Sequence, residues 1–448
     1  MRRYVIIGTG VAGFSAAEAI RELDASCRID MVGDEPHGYY SRPGLAYYLT
    51  GELNEAQLYP VGENDFRRLG INRLTAHARS IDAQSHRLGL HDGSSLAFDR
   101  LLIATGSLAS PLRATGCDAE GVIKLDSLND ARKIIRLAGR ARRAVVVGGG
   151  ITALEIVEGL TARGVKTHYF LRGDRYWSNV LDETESRIVE HRLKEEGVTI
   201  HYHTELEEII VERGRVVAVC TVDQRKIPCE ILAVAIGVQP RKKLAEASNI
   251  RTERGILVDE TLQTSQADVF AAGDVAQVID PVTGETTLNT LWAPARQQGT
   301  VAGKNMAGVT TSYHQQPPLN VTRLASLTTT IVGRVGRGDD LDLHGIARGD
   351  SETWRRLPDA FAAQEDFDVN RLRLLVGRQT LLGAIVMGNQ TLSRPLHHLV
   401  SRNIDITPIR SQLLLPNAPV ADIIASFWTE YRTREALCKA ETVNSGWR

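Results

Sequence analysis

The sequence predicts an α/β fold in which one local pattern is used twice. The β-prone run Tyr4-Val-Ile-Ile7 enters Gly8-Thr-Gly10-Val11-Ala12-Gly13, and the helix-forming stretch Phe14–Ile20 follows. Much later, Ala144-Val-Val-Val147 enters Gly148-Gly-Gly150-Ile151-Thr152-Ala153, again followed by a helix-forming stretch. Strand, Gly-x-Gly turn and helix N-terminus, in that order, make a Rossmann-like unit. The first glycine permits the turn and the second lets a pyrophosphate approach the backbone. The third position needs only a small side chain, Gly or Ala, for close helix–strand packing. The free N–H groups and the positive end of the helix dipole then face the phosphates. Two such units, well separated, imply two dinucleotides. A third observation completes the class: beyond Pro317-Pro318 the pattern changes to strands and then helices, which predicts a C-terminal α+β domain.

Length and composition agree. A chain of 448 residues exceeds one ordinary core. Hydrophobic residues at 43% and charged residues at 24% are those of a soluble globular protein. Lys plus Arg (53) balances Asp plus Glu (54), which argues against a nucleic-acid partner. No apolar run approaches the roughly 18–20 residues of a membrane span. Met1-Arg-Arg-Tyr-Val-Ile-Ile has the basic head of a signal peptide, but glycines soon interrupt its apolar run, so a cytoplasmic protein is expected. Cys27, Cys117, Cys220, Cys229 and Cys438 are odd in number and form no CxxC, CxxxxC or metal spacing. They read as free thiols in a reducing compartment, with no metal site.

Taken in order, Arg28–Gly33 reads as the second strand of the first unit, ending in Asp34-Glu35. A carboxylate about twenty residues past the glycines accepts hydrogen bonds from ribose hydroxyls; Asp34 is the first choice and Glu35 the second. Tyr39–Tyr48 is aromatic and turn-rich. Residues from Arg73 to Phe98 alternate as short antiparallel strands with a turn at Asp92-Gly93. Arg100–Ile103 is an apolar strand closing on Ala104-Thr105-Gly106. After the second glycine pattern, Lys166–Leu171 is a strand without a terminal acid. Leu171 stands where the ribose acid would be, with Arg172 and Arg175 behind it, which suits a 2′-phosphate and favours NADPH over NADH. Residues from Val198 to Gly237 alternate again, turning at Val222-Asp-Gln-Arg225. Asp268–Ala272 is a short strand entering Gly273-Asp274, and Leu291–Lys304 is a helix that tolerates Pro294 in its first turn. The last domain offers strands within Asn320–Val335, at Arg371–Val376 and at Thr380–Met387. Its final helix carries Val420, Ile423, Ile424, Phe427, Trp428 and Tyr431 at helical spacing. That stripe is a core or dimer contact, because no dense Lys/Arg face accompanies it.

These residues resemble the FAD-dependent pyridine-nucleotide oxidoreductases with two Rossmann-like domains, the glutathione-reductase-like superfamily. Four motifs carry the resemblance: Gly8-x-Gly10-x-x-Gly13, Ala104-Thr105-Gly106, Gly148-x-Gly150-x-x-Ala153 and Ala272-Gly273-Asp274. The resemblance implies that the first glycine pattern and Asp34 hold FAD, that Thr105 and Gly106 line the crossover near the flavin, and that Asp274 bonds the ribityl chain. It implies NAD(P)H at the second pattern, with Ile151, Thr152, Glu155, Arg172 and Gly237 completing that site. The implied domains are 1–113 and 241–316 for FAD, 114–240 for NAD(P) and 317–448 as a C-terminal interface domain, with a homodimer expected.

Glu35-Pro-His-Gly-Tyr-Tyr-Ser-Arg42-Pro43 further resembles the Arg-Pro loop of oxygenase-coupled ferredoxin reductases, rubredoxin reductases and apoptosis-inducing-factor-like proteins. Trp292–Gly299 resembles their Trp-containing segment. The resemblance implies that Arg42 contacts FAD and that Trp292 packs near the isoalloxazine and nicotinamide. Two departures stand out. Tyr47 replaces the lysine that pairs with the acid after the second fingerprint, here Glu155, and Pro43 replaces the loop cysteine of the NADH oxidase and coenzyme-A-disulfide-reductase branch. A thiol relay needs a low-pKa cysteine beside the flavin, and no motif places one there. The expected activity is therefore hydride transfer from NAD(P)H to flavin, then electron transfer to a redox protein such as ferredoxin or rubredoxin, with no catalytic side chain required. The alternatives are an NAD(P)H oxidase or quinone-type dehydrogenase without redox cysteine, and a slow redox-sensing protein. Basic clusters at Arg132-Lys133, Arg140–Arg143 and Trp354-Arg355-Arg356 could dock an acidic carrier.

Overall fold

The computed structural model of the chain describes residues 1–279, 284–335, 370–416 and 418–445, with side chains described as far as 437. They form two compact units, one of residues 1–315 and one from Gln316 onward.

The first unit holds two five-stranded parallel sheets. One has the order Val269–Ala271, Arg100–Ile103, Arg3–Ile7, Arg28–Gly33, Ile71–Thr75. Tyr4 to Ile7 are all buried, as expected of a strand covered on both faces. The chain leaves this central strand in one direction through helix Val11–Leu23 to Arg28–Gly33, and Arg100–Ile103 lies on its other side. The order reverses here, so a crevice opens beyond the strand ends at Gly8, Asp34 and Ala104. Helix Trp292–Met306 crosses helix Val11–Leu23 at very close range. A Cβ on Gly299 would sit 2.1 Å from the Ala12 carbonyl oxygen, and one on Gly303 would sit 2.5 Å from that of Ala16.

The second parallel sheet repeats the plan: Thr199–His201, Lys166–Phe170, Arg143–Val147, Ile231–Val234, Val122–Ile123. The alternating stretches divide differently from expectation. Ile71–Thr75, which contains Arg73, is the edge strand of the first parallel sheet, and only Ala78–Asp82, Arg87–Leu90 and Ser95–Ala97 form the antiparallel sheet. Likewise Thr199–His201 and Ile231–Val234 join the second parallel sheet, leaving Leu206–Glu212, Arg215–Thr221 and Lys226–Pro228 antiparallel. Short strands look alike in sequence; the partner that chain closure supplies decides their direction. Both turns lie where the sequence puts them, with Gly93 at φ +87° and Gln224 at φ +63°.

Among the helices the periodicity reading passed over, the two longest, Leu128–Ala138 and Glu183–Glu195, both begin in capping boxes, Ser127/Asp130 and Asp182/Glu185. The short helix Leu45–Thr50 was also unforeseen. It ties the two halves of this unit together by packing on helix Ile151–Ala162. A Cβ on Gly159 would lie 2.7 Å from the Leu49 Cβ, and Arg163 Nε donates to the Leu49 carbonyl at 2.7 Å.

The second unit is an antiparallel sheet of order Leu319–Leu324, Leu327–Gly333, Leu381–Met387, Arg371–Val376. Helices Ser393–Ser401, Thr407–Leu413 and Val420–Ser445 pack with it. Ile424 of the predicted apolar stripe is fully buried in this core, and Val420, Ile423, Phe427 and Trp428 are half-buried around it. His398 packs edge-on against Trp428, ring centroids 4.9 Å apart.

Candidate functional site

The first glycine cradle is sterically specified. Gly8 has φ +120°, and a Cβ there would meet the Ala104 carbonyl oxygen at 2.1 Å; a Cβ on Gly13 would meet the Gly8 oxygen at 2.2 Å. At Gly10 nothing lies within 4 Å of the Cβ position. Gly10 is the N-cap of helix Val11–Leu23, and no side chain caps it. The first-turn N–H groups, including those of Val11, Ala12 and Gly13, thus face an open space in which an anion can take the role of the cap.

Asp34 and Glu35 differ in their bonding. Both Glu35 oxygens are engaged, one by the Tyr40 hydroxyl at 2.8 Å and one by Arg42 at 2.7 Å. Burial holds the Tyr40 phenol well above its ordinary pKa, so it is a neutral donor, and it also accepts from the Leu128 N–H. Arg42, expected to contact the flavin, bonds Glu35 and the Asp126 carbonyl in this structure. It thereby fastens the Glu35–Pro43 loop to the segment before helix Leu128–Ala138. Asp34 remains about half exposed at the strand end. It receives Arg241 at 3.3 Å, with His77 at 4.0 Å.

The crossover residues meet at the same crevice. The Thr105 hydroxyl donates to the Arg241 carbonyl, and the Arg241 N–H donates to the Gly106 carbonyl. Arg241, which the sequence reading did not single out, therefore clamps the Ala104–Gly106 turn through its backbone while its guanidinium holds Asp34. The Ser107 hydroxyl donates to Asp274 at 2.7 Å. The Gly273 N–H donates to the Oε1 of buried Gln298 at 2.8 Å, so helix Trp292–Met306 sets the Gly273-Asp274 turn. Trp292 Nε1 donates to the Tyr39 hydroxyl at 3.3 Å, which brings the two aromatic segments together.

The second cradle repeats the first with one relaxation. Gly148 has φ +148°, and its Cβ would lie 2.2 Å from the Ala235 oxygen and 3.0 Å from the Cβ of Ala153. Gly150 caps helix Ile151–Ala162, again without a side-chain cap. This cradle opens into a cleft of about 950 Å³ lined by Gly148 to Thr152, Leu171, Arg172, Gly237 and others. That is at the upper end of the ~300–1,000 Å³ usual for small-molecule sites. Gly237, at φ +112°, passes its carbonyl to the Ser110 N–H. Leu171 is fully buried, so no acid stands at the ribose position. Arg172 is exposed in the cleft, whereas Arg175 pairs with Asp174. Glu155 is buried on the helix, close enough to Tyr176 that, after burial itself and Tyr169, it and Glu158 help raise that phenol's pKa.

The cysteines lie away from these strand ends. Cys27 precedes strand Arg28–Gly33, and Cys229 precedes Ile231–Val234, buried with its thiol pushed up to about 12. Cys438 lies outside the described side chains. Among the basic clusters, Arg132 pairs with Glu55 and Arg143 with Glu230. Arg142 and Arg143 also stand at the start of the strand whose other end carries Gly148, roughly 16 Å away. The Trp354-Arg355-Arg356 cluster lies outside the described residues.

Residues 2–299 match the family model described as pyridine nucleotide-disulphide oxidoreductase. The chain belongs to that family. The membership rests on two-thirds of the chain and makes it an oxidoreductase that uses a flavin and a pyridine nucleotide. Among curated members, it is 30% identical to the NADH oxidase of Methanocaldococcus jannaschii, over 71% of this chain and 72% of that protein. It is 29% identical to the biphenyl dioxygenase system ferredoxin–NAD(+) reductase component of Paraburkholderia xenovorans, over 78% of this chain and 84% of that one. A crystal structure of a ferredoxin reductase from Rhodopseudomonas palustris superposes with a TM-score of 0.81, covering 94% of this chain and 99% of its own at 23% identity. That last likeness concerns the fold of these oxidoreductases. Among the described residues, no helix is long and apolar enough to cross a membrane.

Proposed function

We propose that this oxidoreductase carries FAD in the first cradle, takes hydride from NAD(P)H held in the second, and passes electrons to a redox protein such as ferredoxin or rubredoxin. One observation carries the reading: the cleft at the second cradle is also walled by Leu288 and Thr290, residues of the first domain that lead directly into Trp292. A coenzyme held at Gly148–Ala153 would therefore reach the aromatic segment beside the first cradle. FAD is supported by three features of the first cradle. Gly10 is open on its outer side, the helix N-terminus has no side-chain cap, and Asp34 stands at the end of the following strand, partly exposed.

Bound there, FAD would supply the acceptor of the hydride and the reservoir for its electrons. The chain's own task is alignment. Gln298 holds the Gly273-Asp274 turn, Ser107 orients Asp274, and the Arg42–Glu35 pair fixes the loop that carries Tyr39 against Trp292. Glu155 is a coenzyme contact in this reading, with Tyr47 at the position of the expected lysine. NADPH is preferred because Leu171 removes the acid that would repel a 2′-phosphate and Arg172 offers it a cation. The domain limits 1–113, 114–240, 241–316 and 317–448, a homodimer and a cytoplasmic setting belong to the same proposal.

Anaerobic stopped-flow mixing with NADH and NADPH, followed by a panel of acceptors, tests it. Rapid bleaching of a bound flavin and fast reoxidation by a ferredoxin or rubredoxin are expected. Fast turnover with oxygen or quinone and slow reoxidation by every carrier would instead favour the oxidase reading, to which the likeness to an NADH oxidase points. A stable charge-transfer complex with negligible turnover would defeat both in favour of a sensor.

A further inference from the structure

The cleft at the second cradle has walls from both dinucleotide domains, and their charges differ in how they are spent. On the side of the second domain, Arg175 is paired with Asp174 and also donates to the Ser178 carbonyl. Arg172 has no hydrogen bond or ion pair among the described residues. On the opposite side, the loop before strand Ile256–Val258 brings Arg254 into the lining together with Leu288 and Thr290. Arg254 is exposed and likewise has no partner among the described residues. Its neighbours are already committed. Glu253 accepts from Gln277, its carbonyl accepts from Lys242, and Lys242 pairs with Glu246. The acid in the lining, Glu205, belongs to the loop after Thr199–His201 on the second domain. By contrast, Arg42, Arg132, Arg175 and Arg241 of this unit are each paired with a carboxylate. Two exposed guanidiniums with no partner among the described residues, on walls of one cleft from different domains, give that cleft a positive potential that favours a polyanionic occupant.

We propose that Arg254 is the first domain's half of a two-sided clamp on the coenzyme, binding its diphosphate across the cleft from the Gly148–Ala153 cradle. The proposal rests on the reading of this cleft as the NAD(P)H site. Arg172 lies beside the strand end where the adenosine ribose belongs, so it addresses the 2′ position. Arg254 shares its wall with Leu288 and Thr290, toward Trp292, and so addresses the part common to both coenzymes. A cation presented by the other domain also ties coenzyme binding to the approach of the two domains, which no residue of the cradle can do.

Equilibrium binding of NADH, NADPH and ADP-ribose to the full chain with its flavin already reduced and kept anaerobic, followed by fluorescence, decides it. Arg254→Gln is expected to weaken all three by a similar factor of about five, a loss that shrinks as salt is added. Arg254→Lys should recover part of the affinity and Arg254→Glu should lose more. Arg79→Gln, an exposed cation on strand Ala78–Asp82 outside the cleft lining, should change nothing. A loss confined to NADPH would overturn the assignment to the diphosphate, and unchanged binding in Arg254→Gln would overturn the clamp outright. If the wild-type chain binds none of the three, the cleft itself has been misread and the clamp falls with it.

Discussion

The two glycine cradles are the same local device set in different surroundings, and in the proposed function those surroundings separate a resident ligand from a visiting one. At the first cradle, a turn from a distant part of the chain, Gly273-Asp274, closes over the helix start, with Gln298 and Ser107 fixing it. Its strand-end acid, Asp34, is held by Arg241. At the second cradle the corresponding strand ends in buried Leu171, Arg172 follows with no partner among the described residues, and the glycines open into a large cleft. Similar backbone geometry thus leaves a helix start without a side-chain cap in both, while side chains from elsewhere decide closure and charge.

The largest effects should come from the two leading glycines, and they should differ in kind. Gly8→Ala forces a Cβ into the Ala104 carbonyl at positive φ and should cost on the order of 3–4 kcal/mol, giving a flavin-free, partly unfolded chain by circular dichroism and absorbance. Gly148→Ala makes the matching clash with Ala235, yet should leave flavin content intact while abolishing reduction by NAD(P)H. Equal flavin loss in both would break the comparison. Gly10→Ala has free space around it and φ −78°, so thermal stability should hold while flavin affinity falls.

Smaller effects sharpen the contrast. Gln298→Leu strands the buried Gly273 N–H and should cost about 1–3 kcal/mol, read in urea unfolding and in flavin loss on dialysis. Arg172→Ser should lower the ratio of NADPH to NADH affinity about fivefold without touching flavin content, measured by anaerobic titration of the coenzymes into the chain with its flavin already reduced. An unchanged ratio would remove the argument for NADPH.

The smallest expected effect is a pH dependence confined to the second domain. His168 and His201 meet at 3.0 Å between adjacent parallel strands. Burial lowers the pKa of both. Arg143 adds to it at His168, and His168 and Arg225 add to it at His201, where Asp223 opposes them. The folded pKa values therefore lie below the unfolded value of about 6.5. The unfolded chain binds more protons in that window, so the contribution to stability is full above about pH 6.5 and is lost as the pH falls through the folded values. Urea unfolding at pH 7.5 and 5.5 should show a smaller decline for His168→Gln than for wild type. An equal decline would place the pH sensitivity elsewhere.

Much of this was legible in the residues. Both glycine patterns, the strands that feed them, the Trp292 helix and the apolar stripe of the last helix follow from local sterics and periodicity, which a sequence states directly. The capping boxes at Ser127 and Asp182 were readable too, though alternation alone passed over them. What no local rule contained were the long-range choices. Arg73 could have sat in either kind of sheet until Ile71–Thr75 found Arg28–Gly33 as a partner. Arg42 went to Glu35 and the Asp126 carbonyl, and Arg241 went to Asp34, because chain closure put those groups within reach. Gly8-Thr-Gly10-Val-Ala-Gly13 by itself determined a turn that an anion can approach. Tertiary structure decided which walls surround that anion and how the charges around it pair, because those contacts join residues as far apart in sequence as Asp34 and Arg241.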